Sequence, residues 1–316
     1  MKWKPTHSRR GLTLVELLVV LAILALVTLV AVVATENVVE QGRYEVTQRT
    51  LENTQAAVLG MANQTSADGT PLLTGFVADL GRPPIAGVDA QIPELWLQGT
   101  LPSYRPVAAS TDDPNKDVTI LAGWRGPYLR MPPPNSRGHI LYDGWGNPFA
   151  LINPANNVAA PGDPVIAIRH AGPGIDAFTT ALASQPATAL TNNPSNLEST
   201  IKGSVIDTDT ATQATNPVLV KLYLVDLTRF DPSSGTWTLA SINPNEHKDE
   251  TGLPPPYSFT FVPKVKINGV DVPATGNMVL RAWQMNGNKE VTTRSAIIRM
   301  RVPVGGMMQD VRLDMK

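Results

Sequence analysis

The chain has 316 residues, 42% of them apolar, with a formal net charge of −1. That is enough for two modest globular units plus an appendage, with no charge excess to draw it to nucleic acid. There is no cysteine, which excludes disulfides, thiolate nucleophiles and cysteine metal sites.

The charge is unevenly spread. Lys2, Lys4, Arg9 and Arg10 fall in the first eleven residues with no acid among them, leaving 22 bases against 27 acids, a net of −5, in the remainder. From Leu12 to Ala34 only Thr13, Glu16 and Thr28 interrupt an apolar run. As a helix these 23 residues rise about 35 Å, enough to cross a hydrocarbon core of about 30 Å. The basic leader holds the N-terminus in the cytoplasm and sends the rest of the chain outward. The run is longer than a secretory h-region and no small-x-small site follows it, so removal by ordinary signal peptidase is not expected. The anomaly is Glu16, because a charge deep in lipid costs about 2.5–3.5 kcal/mol even on lenient scales. A plain signal anchor leaves it unexplained. So does a twin-arginine export signal, which "SRRGL" matches in part. Either would make the chain a signal-anchored or twin-arginine exported extracytoplasmic binding protein that never polymerises.

"RRG" followed by "LTLVELLVVLAILALV" resembles the class III signal of type IV pilins and of the pseudopilins of type II secretion. The resemblance implies cleavage between Gly11 and Leu12 by a prepilin peptidase, N-methylation of Leu12, and a place for Glu16 at the fifth mature position, where the family carries its glutamate. Leu12 stands where phenylalanine or methionine is commoner. Further partners it implies are other pilin or pseudopilin subunits, an inner-membrane assembly platform, and membrane lipid before assembly. After cleavage Leu12 carries a cationic amine, and Glu16 lies four residues along on the same helical face. The resemblance implies that Glu16 pairs with the terminal amine of a neighbouring subunit, a charge pair acting as a registry device.

The helix is expected to continue to residue 63, since residues 36–63 contain no proline and Tyr44, Leu51 and Val58 recur every seven residues, marking one apolar stripe. Its first part is polar enough to face water; its second is expected to lie on a globular unit.

Residues 64–195 are rich in Pro, Gly, Asn and Asp between short apolar pieces, as a small antiparallel β headpiece requires. "DGWGNPF" (143–149) resembles the D-P-W-G-N-P-Y stretch of major-pseudopilin headpieces, with Gly144 replacing the usual proline, and "VIAIRHAGPGIDAF" (165–178) resembles that family's strand and Gly-Asp-rich loop. Trp96, Trp124 and Trp145 read as packing residues. That loop binds calcium in many pseudopilins, but Asp176 is followed by Thr179 and Thr180 rather than further carboxylates, and hard cations need several oxygen ligands. "DPNKD" (113–117) opens like a calcium loop but has Val118 at the glycine position and Trp124 at the glutamate position, so it reads as a solvated loop. No metal site and no cofactor are expected.

Residues 196–316 change texture. Seven short pieces, from "TIKGSVID" (200–207) through "VLVKLYLVDL" (218–227) and "YSFTFVPKVKI" (257–267) to "QDVRLDM" (309–315), lie between turn signals. Val218, Val220, Leu222 and Leu224 share one face, and Tyr257, Phe259 and Phe261 alternate with Ser258, Thr260 and Val262, as in half-buried strands of an antiparallel β-sandwich. The pattern loosely resembles the prealbumin-like domains attached to carboxypeptidases and many surface proteins.

No catalytic residue is expected. His7, His139, His170 and His247 lack zinc spacing, and there is no G-x-S-x-G elbow or phosphate-binding loop. Asp207 and Asp209 in "DTDT" read as turn residues. The fold class expected is α+β: a long N-terminal hydrophobic α-helix packed on a small antiparallel headpiece, followed by a separate C-terminal β-sandwich. The segments are 1–11 leader, 12–63 helix with 12–34 transmembrane, 64–195 headpiece and 196–316 sandwich. The function this implies is a prepilin-type structural subunit, single-pass in the inner membrane with a cytoplasmic N-terminus and a periplasmic or extracellular C-terminal part, moving to a filament on assembly. A mature length of 305 residues is large for a repeating fibre subunit and fits a large minor one. Glu16 speaks against the extreme tip subunit of a secretion pseudopilus, which in that family commonly lacks it.

Overall fold

The computed structural model describes residues 14–60, 74–111, 113, 117–134, 138–170, 188–189, 200–207, 218–243, 257–286, 289–302 and 307–315. Within them the protein is α+β: one long helix followed by many β-strands, almost all antiparallel, in several sheets.

Helix α1 (Leu14–Leu59) is continuous, with no proline to break it. It ends at Gly60, whose φ of 81° is the left-handed conformation that closes many helices, and whose N–H donates to Ala56 O at 2.8 Å. A Cβ on Gly60 would meet the Thr74 carbonyl oxygen at 2.2 Å. Only a glycine lets the chain return so close to the helix end. Helix α2 (Phe76–Leu80), a single turn, is wholly buried beside α1.

A hairpin of β1 (Arg105–Ala108) and β2 (Thr119–Ala122) follows, then an antiparallel sheet of β3 (Ala150–Ile152), β4 (Ala167–Arg169) and β5 (Thr188–Ala189). Leu51 and Val58 of α1, Phe76 and Leu80 of α2, Phe149 and Ile168 belong to one buried cluster. The stripe on α1 holds at Leu51 and Val58, while Tyr44 is half-buried. Thr47 and Thr54, both 0% exposed, complete it.

The C-terminal part comprises β6 (Thr200–Asp207), β7 (Val218–Leu224), β8 (Phe230–Asp231), β9 (Thr236–Trp237), β10 (Ala240–Ile242), β11 (Ser258–Phe261), β12 (Lys264–Ile267), β13 (Val270–Pro273), β14 (Gly276–Asn286), β15 (Lys289–Val302) and β16 (Met307–Met315). Four of them form a sheet in the order β10-β7-β14-β15 and three another in the order β11-β6-β16. Val220, Leu222 and Leu280 from the first share a buried cluster with Ile201, Phe261 and Leu313 from the second. One pairing departs from the antiparallel expectation, because β16 runs parallel to β6. About a hundred residues separate those strands, ample for the crossover that a parallel pair needs.

A second departure concerns β7. Its alternation reads as half-buried, yet every residue from Val218 to Leu224 is buried. Tyr223, on the face opposite Val220 and Leu222, packs with Val279, with Trp237, and with Val107 and Ile120 of the β1–β2 hairpin. The apolar cover comes from a segment about a hundred residues upstream, which local periodicity cannot announce. Asp113 and Asp117, between β1 and β2, sit there too. Tyr223 Oη donates to Asp113 Oδ1 at 2.9 Å, Lys221 Nζ stands 3.8 Å from Asp113 Oδ2, and Arg281 pairs with Asp117 at 2.7 Å. Asp113 is therefore largely covered by the sheet, whereas Asp117 stays exposed.

Candidate assembly helix

The residues that the sequence singles out are distributed along α1. Gly11 and Leu12 lie outside the described residues, and Glu16 falls in the first turn of α1. Around it, apolar side chains project on every face: Leu14 is 79% exposed, Val15 69%, Leu17 56% and Ile23 55%. A helix that is apolar all round needs a partner other than water. Thr28 fits this surface because its hydroxyl donates back to Leu24 O at 2.8 Å, satisfying its own polarity within the helix. Among the described residues no helix is long and apolar enough to cross a membrane.

Further along, the folded part that follows α1 (the head) grips the helix. Trp145 Nε1 donates to Glu40 Oε2 at 2.6 Å, and Glu40 pairs with Arg43 at 2.8 Å. The Gly144 N–H donates to Thr47 Oγ1 at 2.9 Å, and that hydroxyl donates to Arg43 O at 2.9 Å. A Cβ on residue 144 would stand 2.1 Å from the Arg43 carbonyl oxygen. The glycine in "DGWGNPF" is thus where the turn touches the helix backbone. Asp143 shapes that turn, its Oδ1 accepting from the Trp145 and Asn147 N–H groups at 2.9 and 2.7 Å. Beneath it His170 Nδ1 stands 2.8 Å from Asp143 Oδ2, both side chains 1% exposed. The ring lies off the line of a hydrogen bond, and its Nε2 has no partner among the described residues.

Two polar groups stiffen the same unit. Arg82 grips Glu94 through two hydrogen bonds of 2.9 and 2.6 Å, and Glu94 Oε2 also accepts from the Ile85 N–H. Removing one partner of such a buried pair costs about 3–5 kcal/mol. Asp79, in α2, accepts from the Tyr128 hydroxyl at 2.9 Å and pairs with Arg125 at 3.1 Å. Burial raises its pKa above the ordinary 3.8, against the opposing pull of Tyr128 and Arg125. Burial and the Asp79 charge push the Tyr128 hydroxyl up in turn. Sequence reasoning missed the Arg82–Glu94 and Asp79–Arg125–Tyr128 contacts, whose partners lie 12 to 49 residues apart with no spacing rule.

Of the four histidines, His7 and His247 lie outside the described residues, as do Asp176 and Asp209. His139 Nδ1 donates to Pro132 O at 2.6 Å. Among the described residues no three His, Asp or Glu side chains are grouped to hold a metal.

The family model for the prokaryotic N-terminal methylation motif matches residues 6–32. No curated protein and no solved structure matches the chain.

Proposed function

Since the chain carries the N-terminal methylation signal of type IV pilins, we propose that it is a prepilin-type structural subunit of a type IV pilus or a type II secretion pseudopilus. A prepilin peptidase cuts between Gly11 and Leu12, Leu12 is N-methylated, and the α1 surface enters a filament. The observation that carries this reading is the continuity of the motif with a helix whose described first part is apolar on all faces and whose last part is built into a head. Before assembly, residues 12–34 cross the inner membrane once, with the head in the periplasm.

Glu16 joins subunits. In an apolar surround its carboxylate is costly unless it meets a cation, and the amine freed on Leu12 of a neighbouring subunit is one that exists only after cleavage. The two C-terminal sheets form a sandwich that makes this a large, low-copy subunit, presenting a bulky β-rich surface beside the shaft. Mass spectrometry of the mature N-terminus is the test. N-methylated Leu12 is the expected terminus, and an intact leader or a cut elsewhere overturns the reading.

A further inference from the structure

Resting on the membrane reading above, we propose that before assembly the head lies against the headgroup layer of the bilayer, through the corner made by Trp145, Glu40 and Arg43. The first support is axial position. The apolar run ends at Ala34, and α1 continues unbroken from it into the head. The head already holds the helix at Glu40, by the 2.6 Å hydrogen bond from Trp145 Nε1. Six residues of helix rise about 9 Å, and the headgroup region adds about 5–8 Å outside each edge of the hydrocarbon. The indole therefore stands at the outer margin of the headgroups with the helix upright, and the usual tilt of about 20° brings one side of the head closer still.

The second support is rigidity. Gly144 sits on the backbone of Arg43 with no room for a Cβ, its N–H is bonded to Thr47, and Leu51 and Val58 are sealed in the head's core. The head cannot swing away from the membrane without unpacking from the helix. The third is the chemistry of the corner. Arg43 offsets the Glu40 charge at 2.8 Å, so this corner offers an indole rather than a net charge. Half-buried Trp145 is the side-chain type that settles at a membrane–water interface. The partner is therefore a lipid surface contacted without regard to its charge. Its consequence is that each subunit reaches the assembly machinery in one fixed pose.

The test uses the mature chain in phosphatidylcholine–phosphatidylethanolamine vesicles containing a lipid with a nitroxide on its headgroup, read by tryptophan emission. Wild type is expected to show a portion of quenching that Trp145→Phe lacks. Seven alanines inserted after Thr35 add two helical turns, about 10 Å, and are expected to abolish the same portion while the head's denaturation midpoint stays put. Equal quenching in wild type and Trp145→Phe, or quenching unmoved by the insertion, overturns the inference when the chain resists carbonate extraction, and leaves the membrane reading standing. A chain that carbonate extracts overturns both.

Discussion

The two ends of α1 belong to one unbroken helix and make opposite demands. Residues 14–29 expose leucines and valines on every face; residues 47–58 bury one side, made by Thr47, Leu51, Thr54, Ala57 and Val58, and leave the other faces to water or half-exposed. The last part finds its partner inside the chain, in α2 and the head. Among the described residues, none of the head's buried clusters includes the first part. One helix can thus serve two environments because the apolar pattern, not the backbone, selects the partner.

The sharpest way to test that division is to change each end separately. Glu16→Ala is expected to abolish incorporation into filaments, seen as loss of the chain from sheared fibres, while membrane insertion and the head's stability are untouched. Normal incorporation of this variant would mean that Glu16 does not join subunits.

The next pair sets the two ends side by side. Leu51→Ala removes a side chain 5% exposed in the head's core and is expected to lower stability by about 2–5 kcal/mol. Leu21→Ala, at a position 59% exposed, is expected to stay within about 0.5 kcal/mol. Urea unfolding of the full chain in detergent reads both. Comparable losses would show that the first part of α1 also packs on the head.

How much of this could be read in advance depends on where the partner lies. The signal at residues 8–27 is legible because its parts are neighbours: a basic pair, a glycine and an acid at fixed spacing in an apolar run. Phe259 and Phe261 are legible for the same reason, since strand alternation is local. Thr47 and Thr54 are not, because each becomes tolerable in a core only when its hydroxyl turns back to the carbonyl four residues earlier, at 2.9 and 2.8 Å, and composition marks it as polar. The second buried face of β7 and the covering of Asp113 depend on a contact across more than a hundred residues, which no window on the sequence spans. Gly144 is intermediate. The motif resemblance flags the position, but only the approach of the Arg43 backbone explains the missing side chain.

That approach gives a smaller test of the same boundary. Gly144→Ala places a methyl 2.1 Å from the Arg43 carbonyl oxygen, backbone that cannot step aside by a rotamer change. The head must shift on the helix, at about 1–3 kcal/mol. Chemical denaturation measures the loss, and weaker protection of the Trp145 indole N–H from exchange would locate it at the Glu40 contact. A neutral result would show that the turn does not depend on its seat against α1.

The least of the expected effects is a slope. Asp79 lies in α2, against the last part of α1, and burial raises its folded pKa above 3.8. Below 3.8 both folded and unfolded states hold the proton, so the group is neutral to stability. As pH rises past 3.8 the unfolded chain releases its proton first, and the folded state loses ground until its own raised pKa is passed. Asp79→Asn has no proton to lose. The stability of wild type relative to this variant should therefore fall with rising pH above 3.8 and then level off, in urea titrations at a series of pH values. The first part of α1 contributes nothing to that slope, because unfolding the head leaves its surroundings as they were. A difference that stayed flat, or rose with pH, would mean that Arg125 and Tyr128 outweigh burial at Asp79, and that the head's grip on the helix is set by charge pairing rather than by the dryness of its core.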